Sequence, residues 1–352
     1  MDYKTELNEL IQILIREAGS DLYISSARFP TIRVNGELVF LVTRTQYSND
    51  DALATLKILL SKEQYDRFIE QQEIDFSYEF QKGVRLRGNA FIQRGMCSIV
   101  MRLIPKVKTL EELNLPPILA EFARKRQGFF LVVGPVGSGK SSTMSAMVNI
   151  INHERAAHIL TVEDPIEYVY DTGRSIVDQR EVGIDTADFS VALKSAFRQD
   201  MNVILIGEMR NPETIATAVT AAETGHLVLS TLHTNTASQT IDRIIDSFPP
   251  GQQDQIRIQL ASSLIGVFSQ RLVPRITGGR LPAYELMMNN NAVSNLIREK
   301  RTHEIDVVIE TGYEQGMIDM NRSLVDLVRR GEISVENAFA FSTNPKTLER
   351  LL

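Results

Sequence analysis

The run Gly134-Pro135-Val136-Gly137-Ser138-Gly139-Lys140-Ser141, followed by Ser142, is the part of this chain whose residue types and spacing speak most directly of chemistry. Its glycines let the backbone wrap closely around phosphate groups, a lysine follows the last of them, and a hydroxyl follows the lysine. Backbone N–H groups and the start of a helix would cradle the phosphates, Lys140 would reach the outer ones, and the Ser141 hydroxyl would hold magnesium. The run lies between the apolar stretch Phe129-Phe130-Leu131-Val132-Val133 and a helix start, the context this chemistry needs and a chance glycine-rich turn does not. The ligands implied are ATP and Mg2+.

Two carboxylates stand where apolar strands should end, the place where ligands of open α/β sheets collect. Glu163 closes Thr161-Val162-Glu163-Asp164-Pro165, and Glu208 closes Ile204-Leu205-Ile206-Gly207-Glu208. A charge at the mouth of a buried strand is costly without a partner, and a metal ion or an attacking water would supply one. One carboxylate could orient water and the other support the metal; a helix cap or an ion pair is the plainer alternative for each. His226 and His233 bracket the strand Leu227 to Leu232, and neither has a second ligand at zinc spacing. From spacing alone each reads as a structural histidine. Arg85, Arg87 and Arg102 fall on expected strands, and Arg198 closes the helix expected before Glu208. Solvated charges or local ion pairs are the favoured reading; delivery of a guanidinium to a phosphate held by a neighbouring subunit is the alternative, worth about 10³ to 10⁵ in rate.

Two kinds of texture surround these residues. Up to about residue 106 the chain reads as a small α+β domain. An amphipathic first helix precedes Asp21 to Ser25, an Asn35-Gly36 hairpin joins two alternating runs, and a second helix pattern spans Asp50 to Gln71. Three strand-like runs follow, the last ending at Pro105. Residues 107–117, with Pro116-Pro117, read as a connection between domains. From residue 118 onward, apolar strands alternate with helices, which indicates a parallel sheet covered on both faces and then a helical tail.

At 352 residues with 43% hydrophobic and 23% charged content, the chain has the length and composition of two ordinary globular domains. Its one cysteine, Cys97, excludes an internal disulfide framework and a multi-cysteine zinc site and fits a reducing cytoplasm. The first residues lack the pattern of a signal peptide, and no apolar run has the length of a membrane span, so a membrane role must come through a partner. A net charge of −6 argues against nucleic acid as that partner.

In order and spacing, GPVGSGKSS, ILTVEDPIEY, VILIGEMRNPETI and AAETGHLVLSTLHTNTA resemble the Walker A, Asp-box, Walker B and His-box motifs of the secretion ATPases. GSDLYIS, RLRGNAF, IVMRLIP, SQRLVP and EQGM extend the likeness over nearly the whole chain, and the absence of a tetra-cysteine insertion makes it most similar to the pilus retraction branch. The resemblance implies a PAS-like domain over residues 1–106 and a RecA-like ATPase domain over 118–352, assembled as a homohexamer that works beneath the cell membrane on an inner-membrane pilus platform protein. It implies that Glu163 positions or activates water and that Glu208 supports magnesium with Ser141. It further implies that His226 and His233 sense the nucleotide, and that Arg87 and Arg102, assisted by Arg198, reach a neighbour's site. Residues 291–298 read NAVSNLIR where retraction ATPases commonly carry AIRNLIR. Val293 and Ser294 thus leave open an accessory role beside a second pilus ATPase. A nucleic-acid translocase and an ATP-occupied switch that barely hydrolyses are the rivals from other classes.

Overall fold

The computed structural model describes residues 2–34, 36–81 and 83–352. It divides into two compact units, Met1–Lys106 and Val107–Leu352.

The first unit runs α1 (Tyr3–Arg16), β1 (Asp21–Ser25), β2 (Thr31–Val34), β3 (Glu37–Phe40), α2 (Asn49–Leu59), α3 (Lys62–Gln71), β4 (Glu73–Gln81), β5 (Val84–Gln93) and β6 (Met96–Leu103). The strands form one sheet in the order β3-β2-β1-β6-β5-β4, antiparallel at every pairing. Leu7, Leu10, Ile11 and Leu14 recur at helical spacing on α1 and join Leu22, Leu86, Ile99 and Met101 of the sheet in a single core. Cys97 is buried there, and burial pushes its thiol up to about 11. The helix expected over Asp50 to Gln71 is two helices. Leu60 is extended, and Ser61 starts α3 with a reciprocal capping box to Gln64, a stop and restart that the continuous apolar spacing hides. The Asn35 of the expected hairpin turn lies outside the described residues, while β2 and β3 on either side of it pair antiparallel.

The second unit runs α4 (Ile118–Arg124), β7 (Gly128–Val133), α5 (Lys140–Glu154), β8 (His158–Glu163), β9 (Ile176–Glu181), α6 (Phe189–Ala196), β10 (Val203–Ile206), α7 (Pro212–Glu223), β11 (Leu227–Leu232), α8 (Ala237–Asp246), α9 (Pro250–Ser263), β12 (Leu264–Pro274), β13 (Arg280–Met288), α10 (Asn291–Arg298), α11 (Ile305–Thr311), α12 (Met320–Arg329), α13 (Val335–Phe341) and α14 (Pro345–Leu351). The sheet order is β13-β12-β7-β11-β10-β8-β9, parallel throughout except for the antiparallel pair β12 and β13. Along β7, Phe129, Leu131 and Val133 face one core while Phe130 and Val132 face another, which is why the strand is apolar at every position.

Two expectations need correction here, and one strand was not expected at all. The tail is not wholly helical, because β12 and β13 precede its helices, and their pairing makes the sheet mixed. The polar segment Ile176–Glu181 forms the edge strand β9, half-exposed along much of its length. The stretch 107–117 belongs to the second unit, with Leu110 and Leu115 buried in the core shared with Phe130. Among the described residues, no helix is long and apolar enough to cross a membrane.

Candidate nucleotide site

Parallel strands bring their C-terminal ends to one edge of a sheet, so the loop after β7 and the ends of β8, β10 and β11 open on the same side. They line a cleft of about 480 Å³ that takes in Gly137, Lys140, Ser141, Glu163, Glu208 and His233.

The loop after β7 is tight. A side chain on Gly134 would meet the Gln270 carbonyl oxygen at 2.2 Å, and Gly139 has a φ of +89°. Only glycine tolerates both conditions. Val136 at the loop tip is exposed, and the Ser138 hydroxyl is buried without a hydrogen-bond partner among the described residues. A buried hydroxyl of that kind is costly until an acceptor arrives, and a phosphate oxygen is one. Lys140 folds back on its own loop, donating from Nζ to the carbonyl oxygens of Gly134 at 2.9 Å and Pro135 at 3.0 Å. Burial lowers its pKa. Ser141 is exposed at the start of α5, and the Ser142 hydroxyl bonds the Tyr168 hydroxyl at 2.7 Å.

Glu163 is held at the floor of the cleft. Its Oε1 accepts from the Thr161 hydroxyl at 2.6 Å and from Gln179 Nε2 at 3.3 Å. Burial outweighs these bonds and pushes its carboxyl up to about 7. Glu208, beyond the end of β10, pairs with Arg210, and its Oε2 lies 3.8 Å from His233 Nε2. The other ring nitrogen, Nδ1, lies 3.4 Å from Lys140 Nζ. His233 therefore spans the interval between the phosphate-loop lysine and the Glu208 carboxylate. Burial and the Lys140 charge lower its pKa, which favours the neutral ring that can accept from Lys140 and donate toward Glu208.

The remaining expected residues lie elsewhere. His226 is at the opposite end of β11, roughly 20 Å from His233 by strand rise. There its Nδ1 is 3.0 Å from the Ala221 carbonyl oxygen, and its ring meets Phe197 edge-on at 5.9 Å. Arg198 does not close α6, which ends at Ala196; it is exposed in the turn beyond, outside the cleft. Arg87 and Arg102 sit directly opposite each other on β5 and β6. Arg87 is exposed, and Arg102 is largely exposed although its Nε donates to the buried Asp21 at 2.8 Å. Arg85 donates to Ser77 at 2.7 Å.

Several contributors escape sequence reasoning. Arg210 lies in the same motif as Glu208 but shows its part only as that carboxylate's partner. Gln270 forms the back wall of the phosphate loop: its side-chain Oε1 accepts from Thr143 at 2.6 Å, and its amide nitrogen lies against Gly139. The one signal for it was its place in the SQRLVP segment.

The profile of the family described as Type II/IV secretion system protein matches residues 3–278. The type IV pilus retraction ATPase PilT of Pseudomonas aeruginosa is 42% identical over 334 residues, spanning 95% of this chain and 97% of PilT. The type IV pilus ATPase PilU of the same organism is 38% identical over 349 residues, spanning 99% of this chain and 91% of PilU. A crystal structure of the pilus retraction motor PilT with bound ADP superposes with a TM-score of 0.91 at 41% identity, covering 97% of this chain and 98% of that one.

Proposed function

We infer the function from a firm premise: the chain belongs to the Type II/IV secretion system protein family. On that premise it is an ATP-hydrolysing motor that powers retraction of a type IV pilus, acting as a homohexamer at the cytoplasmic face of the membrane on a pilus platform protein. Retraction rests on the likeness to PilT, and the observation that carries ATP hydrolysis is the arrangement Lys140, His233, Glu208 inside the cleft, whose lining also includes Glu163. It links the group that touches the outer phosphate to the group that follows its departure.

ATP binding would draw Lys140 Nζ off the carbonyl oxygens of its own loop and onto the outer phosphates, and give the Ser138 hydroxyl its missing acceptor. Glu163, poised near 7, accepts the proton of the attacking water as oxygen bonds to the γ-phosphorus and the bond to the β-phosphate oxygen breaks. Loss of the γ-phosphate releases Lys140, and His233 passes that change to Glu208. The Ser141 hydroxyl and the Glu208 carboxylate, which line the same cleft, would hold Mg2+, which when bound would supply charge neutralisation of the phosphates.

In the assembled ring, the PAS-like first unit would present Arg87 and Arg102 to a neighbour's phosphates. Arg102 is held by Asp21 while Arg87 opposite it stands exposed, and a polyphosphate placed against the two would give the pair a second anionic partner. Arg198 and His226, remote from the cleft of their own chain, would act through the neighbour or along β11. ATP turnover against protein concentration, with oligomer mass followed in parallel, tests the scheme on wild type and on Arg87→Ala with Arg102→Ala. Activity that rises with the hexamer and disappears in the variant while the hexamer persists is expected; equal turnover by a monomer overturns it.

A specific observation also favours an accessory role beside a second pilus ATPase. Val293 is fully buried, and the Ser294 hydroxyl is turned inward to the Ala261 carbonyl oxygen at 2.9 Å. The helix α10 thus seals against α9 at the position where retraction ATPases commonly carry an arginine. Pilus retraction restored by this chain alone, in cells without other retraction ATPases, would remove the accessory reading.

A further inference from the structure

Glu285 is a buried carboxylate, 6% exposed, that the hydrolytic scheme leaves unused. It lies on β13 directly opposite Ser269 of β12, and Ser269 in turn pairs with Val133, the last residue before the phosphate loop. Its Oε1 accepts from the backbone N–H of Ala237 at 2.8 Å and from the Ser269 hydroxyl at 3.4 Å.

Ala237 is the first residue of α8 and is fully buried. The N-terminal N–H groups of a helix have no partner within it. Thr236 caps α8 through the Gln239 N–H, which leaves the Ala237 N–H to Glu285. Burial pushes the Glu285 carboxyl up to about 7, while the Ala237 N–H and the helix dipole favour its charged form. The loop from His233 to Thr236 is therefore fixed at both ends, by β11 on one side and by Glu285 on the other. The hairpin that carries Glu285 also carries Gln270, the back wall of the phosphate loop. One rigid element thus braces both halves of the contact between Lys140 and His233.

We propose that Glu285 is a positioning residue for ATP hydrolysis, which holds the Ala237 N–H and thereby sets His233 between Lys140 and Glu208; this rests on the role given to His233 above. Substrate binding, made mainly by the phosphate loop, does not depend on it, whereas the response to the γ-phosphate does.

The test is a double-mutant cycle of Glu285→Ala and His233→Ala, reading kcat and KM for ATP with assembly mass checked for each variant. The expected result is a fall of about ten-fold in kcat for Glu285→Ala with KM within about two-fold, and a double variant no slower than His233→Ala alone. Wild-type kcat in Glu285→Ala, or losses that multiply in the double variant, overturns the proposal while leaving His233 in place. Wild-type kcat in His233→Ala overturns the role of His233 itself, and with it any action of Glu285 through that residue. Should Glu285→Ala fail to fold, Glu285→Asp carries the same cycle, because the carboxylate remains but retracts from the Ala237 N–H. A loss of about three-fold that vanishes in the His233→Ala background is then expected, and an additive or absent effect overturns the proposal.

Discussion

The two sheets of this molecule offer their chemistry in opposite ways. In β5 of the first unit, buried Leu86 and Ala90 alternate with half-exposed Arg85, exposed Arg87 and half-exposed Asn89, so polar groups stand on the open face of a strand. In β7 of the second unit every residue from Gly128 to Val133 is buried, and nothing chemical can stand on either face. There the candidate site residues lie at or beyond the ends of strands, at Lys140, Glu163, Glu208 and His233. An antiparallel sheet with one open face suits residues to be delivered to another molecule; a sheet covered on both sides suits a site enclosed at its rim.

The largest effect should come from the open face. On the proposed ring, replacing Arg87 and Arg102 by alanine should cost on the order of 10³ to 10⁵ in turnover. A loss equally large in dilute monomers would break the comparison, since it would make the arginines part of their own chain's site. Glu163→Gln should lower kcat by about 10² to 10⁴ at unchanged oligomer mass, and steady-state rates near wild type would remove its role as base.

Stability should divide the other way. Phe130 is fully buried and packs on Phe122 with ring centroids 4.6 Å apart, so Phe130→Ala should cost about 3 to 5 kcal/mol in denaturant titration. Arg87→Ala, on an exposed face, should change stability by no more than about 0.5 kcal/mol.

The mildest test is pH. A base must be ionised, and Glu163 is pushed up to about 7, so kcat/KM should rise with pH through that region. The fall below it should approach about ten-fold per unit. A flat profile between about pH 6 and 8 would show that the floor carboxylate is not the group being titrated.

How much of this was legible in advance follows from the same contrast. Glu163 and Glu208 could be placed at the rim of the sheet because each ends an apolar run, and the phosphate loop because its glycines follow one. The strands β12 and β13 could not be separated from the helical tail, since Gln270, Arg271 and Glu285 break their apolar pattern, and those polar side chains bond to helices, at Thr143 of α5, the Phe341 carbonyl oxygen of α13 and the Ala237 N–H of α8. The edge strand β9 was hidden by the polarity that exposure allows. Ser61 looked like an ordinary polar position in one long helix until its capping box with Gln64 was seen. His233 was found by its flanking strand, but its partners Lys140 and Glu208 are distant in sequence, and only the packing of the sheet joins them.

The order of strands also fixes when the nucleotide site comes into being. β7 has β11 and β12 as its two neighbours, and these begin about 100 and about 135 residues after β7 begins. Translation at roughly 5 to 20 residues per second therefore leaves the phosphate loop without its walls for several seconds or more. During that time the nascent chain carries the phosphate-binding signature and no cleft to use it in. The first unit, by contrast, has all its strands by residue 103. A newly made chain thus owns its arginine-bearing face well before it owns a cleft of its own.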